Sequence, residues 1–234
     1  MAELSCAGFP IPSGFVVSTH AYRAFVKANG LQPHILELAQ QAQLEQPQSL
    51  EEASTRIHAL FESGNMPAHI ADAIGAQVNA LTRNTTMPLA VRSSATAEDL
   101  PGMSFAGQQD TFLNVIGVHQ VLQAVKQCWA SLWTARAISY RARNRIPPDQ
   151  VALAVVVQQM IPSQSSGVLF TANPLTGNRD EIVIDASFGL GEAIVAGKVE
   201  PDHFVVDART GQIKLRKLGA KGVGGGAACR WRHR

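Results

Sequence analysis

The sequence predicts an α+β fold, and three observations predict it. Apolar residues return at helical intervals through the first third of the chain, four Val- and Ile-rich runs crowd the region from Val151 to Ala208, and the helical stretches largely precede strands that favour antiparallel pairing.

Each element follows in order. The run FPIPSGFVV, Phe9 to Val17, carries two prolines and a glycine ahead of an apolar end, which predicts a turn entering a short strand. Ser18 or Thr19 then stands ready to cap a helix over Ala21 to Asn29, because a hydroxyl accepts the free amide hydrogens of a first turn; Gly30 stops it. Ile35 to Leu44, Leu50 to Phe61 and Pro67 to Leu81 repeat the helical pattern. At Met87 the character changes. PLAVRSSA predicts a short strand running into a Ser-rich loop, and TFLNV alternates like a second strand. A helical stretch over His119 to Asn144 gathers Val121, Leu122, Val125, Cys128, Trp129, Leu132 and Trp133 on one side. VALAVVVQQMI, GVLFTA, EIVIDASF and DHFVVDA then read as strands.

The expected organisation is a mainly helical part over residues 1–86, a mixed strand and helix part over 87–221, and a tail over 222–234. The tail, GVGGGAACRWRHR, has no periodicity with which to pack, and a frameshift in a GC-rich gene would produce such an ending.

Composition excludes several function classes. Twenty Lys and Arg against 18 Asp and Glu leave a formal charge of +2, which gives no broad field for gathering nucleic acid or an anionic membrane. Any phosphate site is therefore local. No stretch approaches the ~20 apolar residues that span a bilayer. Three cysteines, an odd number without metal-ligand spacing, fit a reducing cytoplasm better than a disulfide framework.

Chemistry concentrates in VRSSATAEDLPGMSFAGQQDTF, Val91 to Phe112. Arg92 offers a planar fork of donors suited to phosphate oxygens, Ser93, Ser94, Thr96 and Thr111 offer hydroxyls, and Gly102 and Gly107 let backbone amides approach a ligand. Two readings stand: a triphosphate cradle, or an ordinary polar loop in which Arg92 pairs with Glu98 or Asp99. A second loop, DASFGLGEAIVAGKVEPDHF, sets Gly189, Gly191 and Glu192 ahead of a helix, where amides can meet an anion and Glu192 suits the first turn. It lacks the full dinucleotide fingerprint and the GK[ST] ending of a Walker loop. Gln158 and Gln159 end an apolar strand, where an amide needs a partner, either a nucleotide base and sugar or a neighbouring backbone. The histidines form no close pair, His203 reads as structural, and spacing assigns no catalytic or metal-ligating residue.

Five blocks in order carry a resemblance: AGFPIPSGFVVST, VRSSATAEDLPGMSFAGQQDTFLNV, QQMI, SGVLFTANPLTG and FGLGEAIVAGKVEPD. Up to about Lys221 the chain resembles the N-terminal nucleotide-binding domain of the pyruvate phosphate dikinase, phosphoenolpyruvate synthase and rifampicin phosphotransferase group. The resemblance implies an ATP-grasp-like fold, incomplete here, that holds ATP between two subdomains with Mg2+ bridging the phosphates. It implies that Arg92 contacts phosphates with Gly107 and Thr111 beside them, that Gln158 lies at the base and sugar, that Met160 near the hinge presents backbone to adenine, and that Glu192 lies near the cleft. In that group ATP phosphorylates a histidine on a separate swivelling domain, which passes the group to pyruvate or another acceptor. Members begin with a segment of the form GGKGANL, whose lysine reaches the phosphates, and continue to acidic magnesium ligands and the phosphohistidine domain. The expectation is therefore a fragment that lacks independent catalysis, with a separate chain carrying the phosphohistidine domain as a partner; a rifampicin phosphotransferase-type fragment and a non-catalytic nucleotide- or partner-binding module are the alternatives.

Overall fold

A computed structural model describes residues 2–95, 111–149 and 151–220. The tail over 222–234 lies outside the described residues, as does Gly107 with the rest of 96–110. The chain divides into two compact units, Met1–Met160 and Ile161–Arg234.

In the first unit, α1 (Ala2–Cys6), β1 (Gly14–Val17), α2 (Thr19–Ala28), α3 (Leu31–Gln41), α4 (Pro47–Ser63) and α5 (Ala68–Thr82) precede β2 (Leu89–Ala95), β3 (Thr111–Val115), α6 (Gly117–Ala130), α7 (Ala135–Arg143) and β4 (Leu153–Gln159). The four strands form one antiparallel sheet in the order β1-β4-β2-β3. One face packs on the helices. Val17, Leu89, Val91, Val115, Leu153, Val155 and Val157 share a core with Phe25, Ile57, Phe61, Val78, Val121 and Trp129. At its centre Phe61 stacks on Tyr22 and Phe25 with ring centres 6.0 and 5.8 Å apart, and Trp129 meets Phe25 at 5.1 Å. Such pairs add to the hydrophobic gain of burying large rings. Lys126, buried on α6, donates to the carbonyls of Glu62 (2.7 Å) and Gly64 (3.3 Å), closing the end of α4.

The second unit is a four-stranded antiparallel sheet in the order β5-β6-β7-β8, from β5 (Ser165–Phe170), β6 (Glu181–Phe188), β7 (Asp202–Asp207) and β8 (Ile213–Lys217), with the single turn α8 (Glu192–Val195). β8 was not expected as a strand. It is an edge strand whose Lys214, Arg216 and Lys217 discourage pairing with another chain, and Lys214 Nζ sits 3.0 Å from Asp207 Oδ2 on β7.

The mixed helix and sheet content is that of an α+β fold. Three details differ from expectation. The units divide after Met160, whereas the composition change near residue 86 falls inside one unit, because β1 pairs with β4 and α4 packs on α6 within a common core. The stretch over His119 to Asn144 is two helices: a 3-10 turn at Ser131–Trp133 follows α6, and Thr134, in extended conformation, starts α7 by accepting from the Ala137 amide at 3.2 Å. Ser18 does precede α2, yet its hydroxyl makes no capping bond. Gly30 adopts the left-handed conformation (φ 61°) that ends α2 and opens α3.

Candidate functional site

Strand alternation in the first unit builds the site. On β2 the side chains of Leu89, Val91 and Ser93 are buried, so Arg92 between them projects from the opposite face and is exposed. On β4 Leu153, Val155 and Val157 are buried, and Ala154, Val156 and Gln158 share the outward face.

Register decides who meets whom. Arg92 lies opposite Thr111 on one side and Val156 on the other. Paired residues on an antiparallel ladder share a face with β-carbons about 4.5–5.5 Å apart, so the Arg92 guanidinium and the exposed Thr111 hydroxyl emerge together. Gln158 is opposite Ala90 on β2 and Gly14 on β1, which sets it diagonally from Arg92, roughly 7–8 Å away by the usual sheet spacing. The outward face therefore brings together three of the sequence-predicted residues: a cation, a hydroxyl and an amide.

Among the described residues Arg92 has no carboxylate partner. Glu98 and Asp99, the partners of the plain-loop reading, lie outside the described residues. The two glutamines divide by face. Gln158 donates through Nε2 to the Pro12 carbonyl at 2.9 Å, and Gln159, on the inward face, donates to the Leu81 carbonyl at 2.9 Å in the last turn of α5. Backbone thus receives a bond from each amide. Met160 is held from two sides: its amide donates to Pro88 (3.2 Å), and the amide of Asn114, a residue at φ 57°, points at its sulfur at 2.9 Å. The division between units falls directly after it.

Glu192 belongs to the second unit. It opens α8 and is exposed, after a loop in which Gly189 takes a left-handed φ of 77° and donates to Gln164 at 2.9 Å. In the same unit His203 Nδ1 lies 2.8 Å from Asp185 Oδ1 across the β6–β7 register, a half-buried cross-strand pair. No group of three His, Cys, Asp or Glu able to hold a metal is formed among the described residues.

Sequence reasoning missed Gly14. A β-carbon there would come within 2.5 Å of the Val157 carbonyl and 3.1 Å of Gln158 Cα, so glycine lets β1 lie tight against β4 where Gln158 stands. Its only signal was a glycine at the start of a strand. Asn114 was missed as well, because an N–H···S contact between distant strands leaves no local trace.

A family model described as "Pyruvate phosphate dikinase, AMP/ATP-binding domain" matches residues 1–224. The chain is 42% identical to a probable phosphoenolpyruvate synthase of Pyrococcus abyssi over 95% of its length and 32% of that protein's. It is 47% identical to a phosphoenolpyruvate synthase of Aeropyrum pernix over 88% of the chain and 26% of that protein, and 46% identical to a rifampicin phosphotransferase of Streptomyces sviceus over 92% and 24%. The chain thus spans about a third or less of the curated relatives it matches.

Proposed function

The chain belongs to the pyruvate phosphate dikinase AMP/ATP-binding domain family, and from that premise we propose that it is the ATP-binding part of a phosphoenolpyruvate synthase-type phosphotransferase. The observation that carries the reading is the outward pair of Arg92 and Thr111, a guanidinium without a carboxylate partner among the described residues beside an exposed hydroxyl. A triphosphate satisfies both groups, since a guanidinium binds phosphate oxygens through charge-assisted hydrogen bonds and a hydroxyl donates to a third.

In this reading the phosphates lie over Arg92 and Thr111 with Gly107 beside them, the ribose and base lie toward Gln158, and the Met160 backbone meets adenine. Glu192, at the start of α8 in the second unit, is a further candidate nucleotide ligand. The Pro12 bond holds the Gln158 side chain in place, so little side-chain freedom is lost on binding. Magnesium enters with the triphosphate; the described residues form no cluster of three His, Cys, Asp or Glu to hold it.

The chain's own part is to bind and orient the nucleotide rather than to complete the transfer. The reaction, ATP to a histidine and then to pyruvate, needs a phosphohistidine domain as well, whether in the same protein or on a partner chain. A cytoplasmic setting completes the proposal; no helix among the described residues is long and apolar enough to cross a membrane. A second reading, the antibiotic-phosphorylating branch, is supported by the 46% identity to the Streptomyces sviceus protein. The two share the nucleotide step and differ in the acceptor.

Displacement of a fluorescent ATP analogue tests the proposal. ATP should displace it well and adenosine poorly; equal displacement by the two, or none by either, would contradict it.

A further inference from the structure

The first unit has an open flank away from Arg92. Among the described residues β1 is an end strand of its sheet, paired only with β4. Beside it runs a groove of about 380 Å³, walled by Phe15, Val16 and Ala24 on one side and Ile70, Ala73 and Ile74 of α5 on the other.

The ladder shows which backbone groups face this groove. The Gln159 amide donates to the Ser13 carbonyl at 2.9 Å, so residues 13, 15 and 17 exchange bonds with β4, and the alternation turns the N–H and C=O of Gly14 and Val16 to the free side. Val16 is 59% exposed. Apolar walls alone would suit many small molecules. An apolar wall beside a row of free peptide groups suits another backbone, because only a strand satisfies the donors and acceptors while filling the groove with alternate side chains. The polar members of the lining are Ser18, His20, His69 and Gln77, and it contains no Asp, Glu, Lys or Arg, so a Lys or Arg side chain entering it would lose water without gaining a carboxylate partner.

We propose that the groove between β1 and α5 is a strand-addition site for an extended polypeptide segment whose inward side chains are uncharged and β-branched. Its backbone pairs with Gly14 and Val16, which lengthens the sheet to five strands, and its alternate side chains pack on Ile70, Ala73 and Ile74. The inference does not rest on the nucleotide reading: Arg92 stands on β2, beyond β4 from β1, although Gln158 of that reading is the ladder partner of Gly14.

The probe is a short acetylated and amidated peptide of alternating Thr and Val, titrated into the isotope-labelled full chain and followed by backbone amide shifts. The expected result is shifts at Gly14 and Val16 together with Ile70, Ala73 and Ile74, and slowed hydrogen exchange of the Val16 amide. The same peptide with its edge-facing amides N-methylated should bind roughly tenfold more weakly, since two edge hydrogen bonds are lost. Equal binding of the methylated peptide, or shifts on α5 without any at Val16, would make the groove a pocket for apolar molecules and overturn the proposal. Absence of shifts at every soluble concentration would overturn it too. The same shifts arising from protein concentration alone, without peptide, would replace it with pairing between two copies of the chain.

Discussion

Gly14 and Gln158 face each other across β1 and β4 with no room for a β-carbon between them: one built on Gly14 meets the Val157 carbonyl at 2.5 Å and Gln158 Cα at 3.1 Å. The contact is with backbone, so neither side gives way cheaply. Gly14→Ala should therefore push β1 from β4 and destabilise the first unit by about 1–3 kcal/mol, the usual cost of overpacking. A lowered urea midpoint at unchanged slope is the expected observation.

Gln158 joins the outward face to the segment before β1 through its bond to Pro12. Gln158→Ala should cost about 0.5–1.5 kcal/mol in stability. Under the proposed function it should also weaken adenosine and ATP by the same factor, because it lies at base and sugar. Binding of both nucleosides and nucleotides by fluorescence displacement checks this.

Tyr22, Trp133 and Arg141 form a buried group: Trp133 Nε1 donates to Tyr22 Oη at 3.2 Å, and the Arg141 guanidinium lies 4.6 Å over the Trp133 ring. Burial pushes the Tyr22 phenol from 10.0 up to about 12, against the smaller lowering effects of Trp133 and Arg141. Burial likewise brings Arg141 down to about 10. The folded value of Tyr22 exceeds the unfolded one, so its contribution to stability is whole below pH 10 and is lost as the pH rises through about 12. Arg141 acts with the opposite sign in the same window, since its lowered value favours the folded state as the pH rises above about 10. The direct observable is tyrosinate absorbance: Tyr22 should ionise late, near pH 12, and Tyr22→Phe should remove that late step.

Phe61 is fully buried between Tyr22 and Phe25, so Phe61→Ala should cost about 3–5 kcal/mol. Thermal unfolding followed by near-ultraviolet circular dichroism reads the loss, which should exceed that of any single outward-face substitution.

At the β7–β8 turn, Lys214 first, then the Thr210 and Arg209 amides and the Thr210 hydroxyl, hold the Asp207 carboxyl well below its ordinary range. A depressed folded value stabilises above the ordinary pKa of 3.8 and is lost as the pH falls below it. Acidification should loosen this hairpin, and Asp207→Asn should loosen it at neutral pH. Faster amide exchange at Arg209 and Thr210 is the expected sign.

Much of this was legible in the residues. EIVIDASF marks β6 to the residue, because a β-branched run bounded by polar residues has one reading. The break after Ala130 was not legible: Leu132 and Trp133 continue the apolar stripe of α6 through a turn, and only the Thr134 cap betrays it. β8 escaped because its lysines and arginine resemble a solvated loop, although an edge strand favours them. The division after Met160 left no compositional signal, since it falls at the end of an apolar strand. For the site, residue chemistry pointed to Arg92, Thr111 and Gln158 one at a time. Their common face depends on register among β1, β2, β3 and β4, a long-range property that local pattern does not contain. The amides of Gln158 and Gln159 had two readings at the sequence level, and the structure gives each a backbone carbonyl.

The most direct test of the central claim is calorimetric titration of the chain and of Arg92→Ala with a non-hydrolysable ATP analogue and with adenosine. The account predicts saturable binding of both ligands by the unaltered chain, and a loss of about 1.5–3 kcal/mol for the ATP analogue alone in the variant, as expected for a charge-assisted contact. Equal weakening of both ligands in a folded variant, or no nucleotide binding by the unaltered chain, would contradict it.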